Sequence, residues 1–143
     1  MQNSITFLGT GTSQGIPMIG CHCEVCDSSD PRDKRLRSSA LVDYEGIRVL
    51  IDAGPDFRQQ MLREDVTSLD AILLTHQHKD HTGGLDDVRA FNYITGKNMP
   101  IYCEPRVQDS LKMEYSYAFL EKKYPGVPEF ELHTIGTEPF KIN

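Results

Sequence analysis

No stretch of this sequence is long and apolar enough to cross a bilayer, which takes roughly 18 consecutive residues. The most apolar runs, Val49-Leu50-Ile51 and residues 71–74, fall far short of that. No basic segment opens the chain: Met1-Gln2-Asn3-Ser4 leads straight into a strand pattern, so no secretory signal is legible. Positive charge is also in deficit, with 15 Lys+Arg against 21 Asp+Glu and a formal net charge of −6. That balance disfavours nucleic acid as a partner, because phosphate neutralisation dominates such binding. Repeats, low-complexity tracts and interdomain linkers are missing as well. What is present is ordinary globular composition, 38% hydrophobic and 25% charged, which excludes a disordered polymer, a collagen-like repeat and a coiled coil. The expectation is a soluble, cytoplasmic chain with no membrane association. Its 143 residues suffice for one hydrophobic core. A twofold homodimer is the default for its oligomeric state.

Cysteines are few and unevenly placed. Cys21, Cys23 and Cys26 crowd together while Cys103 stands alone in an apolar stretch. A disulfide framework spreads its cysteines to close longer loops, whereas this cluster has metal-ligand spacing. Three thiolates so placed can hold one tetrahedral Zn²⁺, with a fourth ligand from elsewhere. Cys103 reads as a small buried hydrophobe.

The patterning is that of a layered α/β protein. Ile5 and Phe7 alternate in a first strand ending at Leu8, followed by a glycine-rich loop over residues 9–17 and an irregular insertion over 20–37 that carries the cysteines. Ala40, Val42 and Tyr44 alternate in a second strand and Ile47, Val49 and Ile51 in a third, with Glu45-Gly46 as a hairpin turn. Pro55 opens a short helix with Phe57, Met61 and Leu62 on its inner face. Residues 71–74 form a strand buried on both faces. Leu85, Val88 and Phe91 mark a further helix, and residues 101–103 a strand. Pro105 begins the longest helix, with Val107, Leu111, Tyr115 and Ala118 on one face and a stop at Pro125-Gly126. Residues 131–135 make the last strand.

The chemistry is concentrated in Thr75-His76-Gln77-His78-Lys79-Asp80-His81-Thr82-Gly83-Gly84. Three of the five histidines and an aspartate follow a buried strand within six positions. Just past a strand end, residues i and i+2 point the same way, so His76 and His78 can hold one ion. Asp80 and His81 reach a neighbouring position as the chain turns. Imidazole and carboxylate together suit Zn²⁺, with Mn²⁺ also accepted.

This motif resembles the metal-binding motif of the metallo-β-lactamase-fold hydrolases. Phe7-Leu8-Gly9-Thr10-Gly11 resembles that family's first strand and loop, and Val49-Leu50-Ile51-Asp52-Ala53-Gly54 its strand ending in a supporting aspartate. The glycine loop with Cys21-x-Cys23-x-x-Cys26 is similar to the branch containing the phosphoribosyl cyclic phosphate phosphodiesterase. The resemblance implies a four-layer αββα sandwich, of which this chain is the N-terminal half or more. It implies two active-site ions, held here by His76, His78, Asp80 and His81, with Asp52 and Asp80 as the catalytic carboxylates. It also implies one structural Zn²⁺ on Cys21, Cys23 and Cys26, completed in that branch by a late histidine. The implied reaction is attack by a metal-bound hydroxide on a small, cyclic phosphodiester. Hydrolysis of a thioester, a lactam or RNA is the alternative within the fold, and a non-catalytic zinc-binding module the alternative outside it.

The resemblance further implies a histidine, an aspartate and another histidine as later ligands, and after His81 only His133 remains. A lone strand histidine is better read as structural. The expectation is therefore an N-terminal portion of a longer protein, with its remaining ligands beyond Asn143. Two other features are set aside. Gly9-x-Gly11-x-x-x-Gly15 has one residue too many for a dinucleotide fingerprint, and its glycines instead let the loop pass near the metal centre, with Thr12 and Ser13 as supporting donors. Arg32, Lys34, Arg35 and Arg37 are interleaved with Asp30 and Asp33 and read as a solvated loop.

Overall fold

The computed structural model describes residues 3–142. Six strands lie side by side in chain order: β1 (Ser4–Gly9), β2 (Ser39–Tyr44), β3 (Ile47–Ile51), β4 (Ala71–Leu73), β5 (Met99–Cys103) and β6 (Phe130–Thr134). β1, β2 and β3 pair antiparallel, and β3 to β6 run parallel. The connections dictate that change of sense. Glu45 and Gly46 both take positive φ, 52° and 86°, so β2 can return directly as β3 in the tight hairpin expected there. Each later crossover is long enough to carry helix, as parallel pairing requires. These helices are α1 (Phe57–Arg63), α2 (Lys79–Thr82), α3 (Arg89–Thr95) and α4 (Pro105–Glu114).

The register makes the two faces of the sheet chemically different. Leu41, Leu50, Ile72, Ile101 and Leu132 align across five strands. Together with Phe57 and Met61 of α1, Val88, Phe91 of α3, and Val107 and Leu111 of α4 they form the core. Leu50, Ile72 and Ile101 are fully buried, each worth about 1.5–3 kcal/mol of transfer free energy. The opposite row is Phe7, Ala40, Ile51, Leu73, Tyr102 and His133. The face that carries this row is apolar yet open along β1, with Phe7 72% and Ile5 65% exposed. Phe140 stacks on Tyr102 at 5.6 Å. One helical layer and one sheet are thus in place, which is half of an αββα sandwich.

Several local expectations are corrected. Leu62 is 63% exposed, and Gln60 takes the inner position beside Phe57 and Met61. At 100° per residue, positions 57, 60 and 61 share a face that 62 does not. The Gln60 amide uses that position to donate to the Arg37 carbonyl at 2.9 Å. The helix from Pro105 ends at Glu114 rather than at Pro125; Tyr115 and Ala118 stay buried because a 3₁₀ turn, Ser116–Phe119, carries the inward spacing on. The helix marked by Leu85 is likewise split, a 3₁₀ turn (Leu85–Val88) preceding α3. Leu73 is only half-buried, because the face it shares with Phe7 is the open one.

The two faces should respond differently to truncation. Leu50→Ala is expected to lower the unfolding free energy by about 2–5 kcal/mol. Phe7→Ala is expected to change it by no more than about 0.5 kcal/mol. Urea denaturation of the two variants checks this.

Candidate metal centres

The histidine loop leaves the sheet at the end of β4, beside the end of β3, because those two strands run parallel. Asp52, the residue after β3, is buried and left-handed (φ 62°), a conformation that short acidic side chains tolerate better than most. Its backbone N–H donates to the Leu73 carbonyl at 2.9 Å, locking the two strand ends together. Its carboxylate then collects three donors from the loop. Oδ1 accepts the Thr75 N–H at 2.8 Å, while Oδ2 accepts the Thr75 hydroxyl and faces His81 Nδ1, each at 2.7 Å.

The backbone is interlocked just as closely. Ala53 N–H donates to the His81 carbonyl at 2.8 Å and Gly84 N–H to the Ala53 carbonyl at 2.9 Å. A Cβ on Gly54 would sit 2.0 Å from the Asp80 carbonyl oxygen, and one on Gly84 would sit 2.1 Å from the Gly54 carbonyl oxygen. Only glycine permits either approach. The loop also contains structure that its sequence does not announce, since residues 79–82 form the single helical turn α2, which carries Asp80 and His81.

These contacts fix which ring nitrogens are free. The Thr75 hydroxyl has one proton, and it goes to Asp52. At 3.0 Å from His76 Nδ1 the same hydroxyl therefore accepts, which places the His76 proton on Nδ1 and leaves the Nε2 lone pair open. Burial, with His81 and His78 nearby, holds the His76 pKa below the usual histidine range and keeps the ring neutral. In His81, Nδ1–H donates to Asp52, so Nε2 faces Asp80 Oδ2 at 3.0 Å. Two acceptors do not face each other at that distance unless a proton or a cation lies between them. Two ligands on one ion, each about 2.0–2.2 Å from it, take such a separation. The His76 ring centroid lies 4.0 Å from that of His81 and 4.7 Å from that of His78. The donor set therefore fits metal ions, as pairs rather than as one closed cage.

The cysteine loop is the tighter cluster. Among the described residues, the sulfurs of Cys21, Cys23 and Cys26 are the one set of three or more cysteine, histidine or carboxylate donors lying within 4.8 Å of one another. All three are free thiols. A backbone hydrogen bond at Cys26, with the Cys21 and Cys26 thiols adding to it, brings the Cys23 pKa down to about 7, so thiolate is available near neutral pH. Lys34 Nζ donates to the Cys26 carbonyl at 3.2 Å and anchors the loop. His22 turns outward and pairs with Asp27 at 3.4 Å.

The remaining candidates lie elsewhere. His133, on β6, pairs with Glu131 at 2.9 Å and stacks on Tyr102 at 4.5 Å. Arg32 pairs with Asp30 at 2.6 Å, and Arg37 pairs with Asp56 at 2.9 Å. The glycine loop is stitched to the insertion rather than to the histidines: Gly11 N–H donates to the Leu36 carbonyl and Ile16 N–H to the Arg35 carbonyl, both at 2.8 Å. Thr12 and Ser13 are exposed, and the Thr12 hydroxyl accepts from the Gln14 N–H, so they do not support the histidine loop. Cys103 is fully buried, and burial pushes its thiol up to about 11.

With this geometry the family follows. Residues 47–143 match the beta-lactamase superfamily domain, and the chain belongs to that family. A crystal structure of a diphosphatase from the PhnP family superposes with a TM-score of 0.88 and 44% identity, over 99% of this chain and 53% of that one. An octanoyltransferase of Porphyromonas gingivalis is 47% identical over 137 residues, which is 94% of this chain and 27% of that protein. Zn²⁺-bound PqqB from Methylobacterium extorquens shares the fold, with a TM-score of 0.72 and 24% identity over 97% of this chain and 48% of its own. The chain thus spans about half the length of these two solved structures. Of the two solved structures, one is a diphosphatase and the other holds Zn²⁺. Among the described residues no helix is long and apolar enough to cross a membrane.

Gly54→Ala is expected to unlock the loop, lowering stability by about 1–3 kcal/mol. It should also speed amide exchange at Ala53 and Gly84, which hydrogen–deuterium exchange of the variant would read.

Proposed function

We propose that the chain belongs to a metal-dependent phosphodiesterase that hydrolyses a small, cyclic phosphodiester. The observation carrying this reading is the 3.0 Å approach of His81 Nε2 to Asp80 Oδ2, in a loop where His81 Nδ1 is committed to Asp52 and His76 Nδ1 to Thr75. The 44% identity to a diphosphatase supports a substrate with a phosphorus–oxygen bond to cleave.

His76 and His78 would hold one ion, and Asp80 and His81 a second. Bound ions supply Lewis acidity toward the phosphoryl oxygens and lower the pKa of water to about 7. Asp52 touches no substrate in this scheme. It fixes the His81 ring with Nε2 facing the site and makes that nitrogen a better donor by taking up positive charge at Nδ1. Thr75 does the same for His76 at one remove. Asp80 can also accept a proton near the reacting phosphorus. Cys21, Cys23 and Cys26 would hold one structural Zn²⁺ and so brace the 20–37 insertion. The further ligands that two ions require would come from the part of the fold that the relatives have and this chain does not span.

In the full-length protein loaded with Zn²⁺ or Mn²⁺, hydrolysis of bis(4-nitrophenyl) phosphate and of a five-membered cyclic phosphodiester is expected. His76→Ala should reduce kcat by at least about 100-fold while leaving one zinc on the cysteine loop, read by elemental analysis. No hydrolysis, together with a metal-free histidine loop, would leave only a zinc-binding module. A second reading within the fold is thioester hydrolysis, considered because the chain is 47% identical to 27% of a Porphyromonas gingivalis octanoyltransferase. Turnover of an octanoyl thioester without turnover of either phosphodiester would select it.

A further inference from the structure

The end of α4 and the turn after it also grip the histidine loop, at residues that Asp52 does not touch. Glu114, the last residue of α4, pairs with Lys79 Nζ at 2.8 Å. The Tyr115 hydroxyl donates to the Thr82 carbonyl at 2.7 Å in a buried contact. The Tyr117 hydroxyl donates to Asp86. Lys79 and Thr82 are the first and last residues of α2, so the first two contacts hold both ends of the turn that presents Asp80 and His81.

A helix of four residues cannot hold itself, because nucleation is unfavourable and its terminal carbonyls have no partners within it. Here each such carbonyl has an assigned neighbour. The Lys79 carbonyl accepts from Gly83 N–H and the His81 carbonyl from Ala53 N–H, both at 2.8 Å. The Asp80 carbonyl lies against Gly54, and the Thr82 carbonyl takes the Tyr115 hydroxyl. Three of these belong to the loop or to the strand end beside it. The fourth reaches across 33 positions of sequence.

Tyr115 is built to hold that position. Its ring is 5% exposed and packs edge-on against Phe130 at 6.0 Å between centroids. The Lys79 ammonium lies 5.5 Å above it, where a cation is attracted to the ring face. Burial, with Glu114 adding to it, pushes the phenol up to about 12, so it keeps the proton it donates.

We propose that Tyr115 is the positioning residue of the histidine loop, holding α2 through the Thr82 carbonyl so that Asp80 and His81 face one ion together. This rests on the metal-binding reading of the loop and adds to it a determinant outside the motif. It implies that removing one hydroxyl remote from the ligands weakens metal binding at the histidine loop and leaves the cysteine loop untouched.

Co²⁺ is a suitable probe for the full-length protein, because thiolate-to-cobalt charge transfer reports the cysteine loop and the visible ligand-field bands report the histidine loop. Tyr115→Phe keeps the ring and removes the hydroxyl. Its Co²⁺ affinity at the histidine loop is expected to fall about 10-fold or more, the range seen when a partner of a ligand is lost. The charge-transfer titration should stay unchanged. Tyr117→Phe, whose partner lies outside α2, should stay within about twofold of the unsubstituted protein at both loops. An unchanged histidine-loop affinity in Tyr115→Phe overturns the inference, as does an equal loss at both loops, which would mark general destabilisation. If the unsubstituted protein takes up no Co²⁺ at the histidine loop, it is the metal reading itself that fails.

Discussion

The carboxylate of Asp52 joins the sheet to its chemistry. A buried charge is tolerated only when it is fully hydrogen-bonded, and every partner of this one comes from the loop after β4. The dependence therefore runs both ways. The loop keeps its shape because Asp52 gathers Thr75 and His81, and Asp52 can be buried because the loop supplies those donors. The left-handed backbone at Asp52 belongs to the same arrangement. An extended residue would continue β3 past the sheet edge, whereas this one turns its carboxylate back across β4. Strain held at a strand end beside a cluster of ligand-type residues is what a site of this kind shows.

Parallel pairing is what lets that contact be local in space and distant in sequence. β3 and β4 end at the same edge of the sheet, so residues 52–54 and 75–84 meet as two neighbouring strand exits. Ligand sites in α/β sheets gather at the carboxyl ends of parallel strands for the same reason: side chains from several exits converge there while the strands hold them rigid. Here the convergence is tightened by Gly54 and Gly84, whose missing side chains let two loop backbones touch. The result is two imidazoles, those of His76 and His81, with their tautomers settled before any ligand arrives, which lowers the reorganisation that binding requires.

How much of this could be read in the sequence depended on separation along the chain. The histidine motif and the cysteine cluster are local, so their spacing alone exposed them, and Glu45-Gly46 announced its hairpin for the same reason. Asp52 was legible only through the family resemblance of its strand, which ends in Asp-Ala-Gly. Contacts made across the fold were not legible. Leu62 has the hydrophobicity of a core residue, but Gln60 takes the inner position because the Arg37 carbonyl, 23 positions away, needs a donor. Tyr115 read only as an apolar stripe residue, and its hydroxyl acquires a role solely because α4 ends opposite Thr82. The one-turn helix α2 was invisible because nothing in four polar residues favours it. It is held by its neighbours, not by its own propensity.

The open face of the sheet and the count of donors lead to the same requirement. Ile5, Phe7 and Tyr44 are each more than half exposed on a sheet face that carries no charged side chain from β1 to β5. An apolar surface of this extent is built to be covered. On the proposed reading, the histidine loop gives two ligands to each of two ions, whereas a catalytic zinc normally has three from protein. The loop stands at the edge of the open face, so a layer laid over that face would reach the loop with its own strand ends. Covering the apolar row and completing the ligand sets are then one packing event. Metal affinity at the histidine loop should therefore depend on how well that face is covered, while the cysteine loop, whose three sulfurs already lie together, should be much less sensitive to it.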